Sequence, residues 1–276
     1  SSLLEDGELT HEMVQILNNS EQTLSRADVL NGQNYLYSAA NFSFLARVNA
    51  IIVKEVSNDP KLLDPDSESL GIKLMELRRD FSTFENDLDG DVPKAGIEWF
   101  ASAQQRFTYA RNNVERLSRE QVEVVSENDA DKRAAELRRL QDYAFAVAWL
   151  DVAKDFYNLA KESDDLVHRP GEFADEALRY IDDANMALSK LGEGDQSRPD
   201  IQRRLDAARA EMDMNWFEAA ILDAASAKAL ATAQVQTEGR SHDGLARMLE
   251  SKILEVELRL RDTNSQSGWA VLYLAH

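Results

Sequence analysis

Apolar residues recur along this chain at intervals of three and four, the spacing that gathers them on one face of an α-helix. Leu74, Leu77, Phe81, Phe84 and Leu88 follow Ser69 in this way, and Leu245, Met248, Leu249, Leu254 and Leu258 precede Arg261. Polar breaks, several carrying Gly or Pro, separate such stretches at 57–67, 86–93, 126–129, 168–171, 192–199, 238–244 and 262–268. Short breaks between amphipathic stretches place neighbouring helices antiparallel. The pattern predicts an all-α fold: an irregular array of antiparallel helical hairpins, with about nine or ten helices. The longest helical stretches are expected over 94–126 and 129–163. The chain reads as a single repeat-like domain over 1–276, with a possible subdomain joint at Arg169-Pro170-Gly171.

An internal echo gives the array its unit. Without gaps, residues 24–50 align with 205–231, matching Leu24 with Leu205, Ala27 with Ala208, Asn34 with Asn215, Ala39 with Ala220, Ala46 with Ala227 and Ala50 with Ala231. Tyr35 stands opposite Trp216, and Ser43 opposite Ala224. In both copies small residues step by four, three and four, which makes one stripe along one helix face and lets a neighbouring helix approach closely. A weaker third copy runs from Asp142-Tyr143 through Ala146, Leu150, Ala153 and Tyr157, and Gly268-Trp269-Ala270 begins like a fourth. The implied unit is a helix, a polar corner, an aromatic wedge just past the corner, and a second helix lined with alanine. Its candidate corner and packing positions are Asn34, Tyr35, Ala39, Ala46, Asp142, Tyr143, Asn215, Trp216, Ala220 and Ala227. Coincidence in an Ala-rich helical chain is the competing account, and the irregular spacing of the copies does not demand a strict solenoid.

The phrases Asn34-Tyr35-Leu36-Tyr37-Ser38-Ala39-Ala40 and Asn215-Trp216-Phe217-Glu218-Ala219-Ala220 resemble the tetratricopeptide-type sequence of a corner, an aromatic and spaced alanines. The chain departs from that family in lacking both a fixed period and a proline closing each unit. A narrower resemblance, over residues 10–56 and 200–235, is to the helical region that follows the protease domain in archaeal Lon-like, membrane-associated proteins of the S16 peptidase group. That resemblance implies a parent chain with a Ser/Lys proteolytic domain before residue 1 and a membrane anchor after residue 276. The segment Gly268–His276, which opens as a helix and stops after two turns, likewise reads as the start of an element continued in a longer chain.

Composition narrows the functional classes. With 11 Gly and 5 Pro in 276 residues, turn signals are too sparse for a sandwich or barrel. The absence of Cys excludes disulfides, thiolate metal sites and cysteine nucleophiles. A net charge of −19 repels a phosphate backbone, so no nucleic-acid partner is expected. No run of 18 apolar residues occurs, so the segment itself reads as soluble.

Candidate chemistry is thin. His11, His168, His242 and His276 are scattered and form no Glu-x-x-His or HExxH pair. Glu85, Asp87, Asp89 and Gly90 resemble the opening of a calcium loop, but its twelfth position is Gly96, which has no carboxylate; a solvated acidic corner is the better reading. Phosphate-binding glycine loops and a Gly-x-Ser-x-Gly elbow do not occur. No cofactor, metal or catalytic residue is expected. Aromatics such as Trp99-Phe100, Tyr143-Phe145-Trp149 and Trp216-Phe217 read first as core and second as anchors for a peptide. The expectation is a noncatalytic protein-interaction or scaffold domain with a protein or peptide partner, accessory to a Lon-like protease if the resemblance holds. A self-associating spacer and an enzyme with a carboxylate site in the helical bundle remain as alternatives.

Overall fold

The computed structural model describes residues 11–64, 67–89, 92–93, 96–120, 129–161, 166–167 and 173–237, together with Gly244, Arg247, Ser251 and Glu255. Among these residues the chain forms eight α-helices, one fewer than the lower sequence expectation. They are α1 (His11–Gly32), α2 (Leu36–Asn58), α3 (Ser69–Leu88), α4 (Ile97–Glu120), α5 (Asp129–Ala160), α6 (Ala174–Leu188), α7 (Arg198–Asp213) and α8 (Phe217–Thr237). The helix expected over 245–258 and the echo at Gly268 fall largely or wholly outside the described residues; Arg247, Ser251 and Glu255 are helical.

The chain divides into two compact units, one of residues 1–57 and 237–276 and one of residues 58–236. The joint anticipated at Arg169-Pro170-Gly171 lies outside the described residues. In the first unit, α1 and α2 are tied by the buried Ser20 hydroxyl, which donates to the Ala46 carbonyl at 2.9 Å. Met13 and Ala27 of α1 are buried, as are Ala39, Ala46, Val48, Ile52 and Val53 of α2.

The second unit begins with a 3-10 turn, Pro60–Leu63. The Asp59 side chain caps it by accepting the Lys61 N–H, Pro60 supplies a first-turn residue with no amide to satisfy, and Leu62 and Leu63 are buried. Helix α3 then buries Leu70, Leu74, Leu77, Phe81, Phe84 and Leu88, the apolar stripe set out by its sequence. Helices α4 and α5 pack closely together. Their bases are joined by a two-residue antiparallel ladder, β1 (Val92–Pro93) with β2 (Leu166–Val167), in which Val92 faces Val167. At the same base Gly96 approaches Ala160 so closely that a Cβ would lie 2.6 Å from the Ala160 carbonyl oxygen. Absence of a side chain there is a packing requirement.

Helices α6, α7 and α8 enclose a core of mostly small residues. Ala177, Ala184 and Ala187 of α6 and Ala220, Ala224, Ala227 and Ala231 of α8 pack with Ile181, Ile201, Leu205 and Phe217. Alanine loses little side-chain entropy on burial and keeps the helix axes close, so this seam combines close helix contact with the burial of a few larger side chains.

Candidate functional site

The corners between α1 and α2 and between α7 and α8 share one construction. Asn34 and Asn215 both adopt the left-handed conformation, at φ 63° and 60°. Asparagine tolerates that region better than most side chains, which accounts for its place at both corners. The Asn34 amide donates to the Asn31 carbonyl at 3.0 Å and the Tyr35 amide to the Leu30 carbonyl at 2.9 Å. Asn215 donates to Met212 at 3.0 Å and Trp216 to Glu211 at 2.9 Å in the same way. This pair of bonds is the Schellman closure, which satisfies carbonyls at the end of the first helix. The aromatic residue also starts the second helix: the Tyr35 carbonyl accepts the Ala39 amide at 2.9 Å and the Trp216 carbonyl the Ala220 amide at 3.0 Å.

The two aromatics differ in surroundings. Trp216 is 3% exposed, whereas Tyr35 is 47% exposed. The Trp216 ring meets Phe107 edge-on with centroids 5.6 Å apart, and its indole N–H donates to Asp89 at 2.8 Å. Asp89, read from sequence as part of a solvated acidic corner, is thus the acceptor for a buried indole. Among the alanines, Ala39, Ala46, Ala220 and Ala227 are all buried. Ser43 and Ala50 are exposed while their counterparts Ala224 and Ala231 are buried, so the stripe is buried whole on α8 and only at alternate positions on α2.

At Asp142 and Tyr143 the structure has no corner. Both lie inside α5, which runs unbroken from Asp129 to Ala160. Leu140, Tyr143, Ala144, Ala146 and Ala148 keep the helical phase buried through this point, and no Gly or Asn is present to take a left-handed turn. Asp142 instead receives both the Nε and a terminal nitrogen of Arg116, clamping α5 to α4.

The feature that sequence reasoning missed is a buried acidic node where α4, α7 and α8 meet. Glu211 of α7 and Asp223 of α8 are both fully buried. One Asp223 oxygen accepts the Gln105 side-chain amide at 2.6 Å and the Tyr109 hydroxyl, with an Arg204 nitrogen 4.0 Å away. The other Asp223 oxygen and both Glu211 oxygens make no hydrogen bond among the described residues. Thr108, the hydroxyl-bearing neighbour from α4, gives its proton to the Gln104 carbonyl at 3.1 Å.

These surroundings set the protonation states. Burial, followed by the Asp223 charge, holds the Glu211 carboxyl well above its usual range, against the opposing effects of Thr108, Arg111 and Arg106. Burial likewise raises Asp223, to about 6, although Tyr109, Gln105, Arg204 and Arg106 favour its charged form. Tyr109 is pushed up by burial and by the carboxylate it serves, so its phenol stays a donor. A sequence signal for the node did exist. Asp223 lies three residues after Ala220 and four before Ala227, on the face that otherwise carries small residues.

Among the described residues no group of three or more His, Cys, Asp or Glu side chains is placed to hold a metal ion, and no helix is long and apolar enough to cross a membrane. Against known protein families, curated proteins and solved structures, the chain has no match.

Proposed function

We propose that this chain is a noncatalytic protein-interaction or scaffold domain that presents helical hairpins to a protein or peptide partner. The observation that carries the reading is the corner built twice, at Asn34-Tyr35 and at Asn215-Trp216, with the same left-handed asparagine and the same bonds. A repeated hairpin with an alanine-packed inner face leaves its outer faces free to vary, which is how helical arrays serve as binding surfaces. The acid-rich α6 face supports it further: Leu178 and Met186 are exposed there beside Asp175 and Asp182. Such a face suits a partner helix with apolar and basic residues.

Selection of displayed peptides against the purified chain, followed by calorimetry, tests the reading. A saturable one-to-one complex that is lost in Leu178→Asp and Met186→Asp is the expected result. Concentration-dependent self-association with no saturable peptide would favour a structural spacer instead. The Lon-like resemblance leads us to place this domain as an accessory to a Ser/Lys protease domain in its parent chain. The upstream reading frame, which should then encode that domain, is the check.

A further inference from the structure

We propose that Glu211 and Asp223 form a proton-operated latch that holds the α7–α8 hairpin against α4 while the pair retains a proton, and slackens it when both carboxyls ionise. Both groups lie in the seam between these three helices, and both are fully buried. Three of their four oxygens lack a hydrogen-bond partner among the described residues. A fully ionised pair would place two negative charges in that seam, with the Gln105 and Tyr109 hydrogen bonds serving only the one on Asp223, whereas a proton on either group removes one charge and supplies a donor.

The neighbouring cations relieve the pair only in part: Arg106 and Arg111 favour the charged form of Glu211 and Arg204 and Arg106 that of Asp223, yet each guanidinium has its closest contacts elsewhere. From α4, the Arg106 guanidinium donates to Gln105 and lies over the Tyr109 and Trp149 rings, with Trp149 coming from α5. Arg111, also from α4, is 2.7 Å from the Met214 sulfur, 3.6 Å from Glu85 of α3 and 3.8 Å from Glu115. Arg204 of α7 reaches the Tyr109 hydroxyl, at 3.4 Å, and the hydrogen-bonded oxygen of Asp223, at 4.0 Å. On the α6 side of α8, Asp183 is already engaged by Lys228 at 2.6 Å. No described cation makes a hydrogen bond to Glu211.

The geometry transmits ionisation to the hairpin directly. The Glu211 carbonyl closes the corner by accepting the Trp216 amide at 2.9 Å, while its side chain occupies the seam. Asp223 is nearly two turns past the start of α8 and joins it to α4 through Gln105 and Tyr109. Outward movement of either carboxylate towards water therefore moves the corner, α8, or both.

Hydrogen exchange of the full chain, followed by mass spectrometry from pH 5.5 to 8 and corrected for the intrinsic pH dependence of exchange, tests the latch. Protection over 205–231 is expected to fall at least roughly tenfold as pH rises, while α5 stays protected. Glu211→Gln, and independently Glu211→Met, should keep the hairpin protected at pH 8. Protection over 205–231 that is constant across the range, or that falls as far in both variants as in the parent chain, would overturn the proposal.

Discussion

Replacing Trp216 by Ala should cost far more stability than replacing Tyr35 by Ala, although the two residues occupy the same position in equivalent corners. Trp216 is 3% exposed, rests edge-on against Phe107 and donates its indole N–H to Asp89 at 2.8 Å. Truncating a buried Trp typically costs about 3–5 kcal/mol, including the void left behind. Tyr35 has 47% of its surface in water, so its truncation forfeits at most about 1 kcal/mol of burial. Trp216→Phe separates the contributions: it keeps a ring against Phe107 and loses the indole bond. Because Asp89 is exposed and rehydrates, that loss should be about 1–2 kcal/mol. At about 2–4 °C per kcal/mol for a unit of this size, Trp216→Ala should melt roughly 10 °C lower. Urea unfolding followed by far-UV circular dichroism, with calorimetric melting in parallel, measures all three. Equal losses for Trp216→Ala and Tyr35→Ala, or no difference between Trp216→Phe and Trp216→Ala, would refute this account of the corner.

At the corner asparagines, Asn34→Val and Asn215→Val should each lose about 2 kcal/mol because a β-branched residue resists the left-handed region, while the Gly variants stay near neutral; thermal melts decide. Enlarging the α8 seam by Ala220→Leu or Ala227→Leu should cost about 1–3 kcal/mol, against about 0.5 or less for the exposed Ala50→Leu, as read by denaturant midpoints. Arg116→Ala should cost about 1 kcal/mol or less, and molar salt should shrink that difference, because the Arg116 side chain is 48% exposed. For the acidic node the raised carboxyls bind protons in the fold that the unfolded chain has released. Their stabilising contribution is therefore complete below the ordinary carboxylate range, near pH 4, and is lost as pH rises through about 6 and beyond. Melting across pH 5 to 8 should show a loss on the order of 1 kcal/mol from Asp223 alone, with a shallower slope in Asp223→Asn.

Local signals were legible in the sequence. The buried set of α3 follows from its three-and-four spacing, and the asparagines at 34 and 215 mark corners because few other side chains accept a left-handed turn. Asp142 misled because the small-residue stepping after it resembled the other copies, while the feature that makes a corner, a residue suited to positive φ, was missing. What separates Trp216 from Tyr35 is tertiary: Phe107 and Asp89 come from α4 and the end of α3, more than a hundred residues earlier in the chain. The acidic node was hidden for the same reason. Glu211 reads as an ordinary helix-surface acid until α4 is seen to cover it, and the partners of Asp223 are Gln105 and Tyr109, far away in sequence. The ladder between Val92–Pro93 and Leu166–Val167 is two residues long and leaves no alternation to detect.

At each corner the residue that finishes one helix is also the residue that begins the next. Only three residues separate the two rods at either corner, and their amides and carbonyls are tied into the helix ends. A displacement of α7 would therefore reach α8 through a short, bonded elbow. An array made from such parts would pass displacement along its length in whole-helix steps.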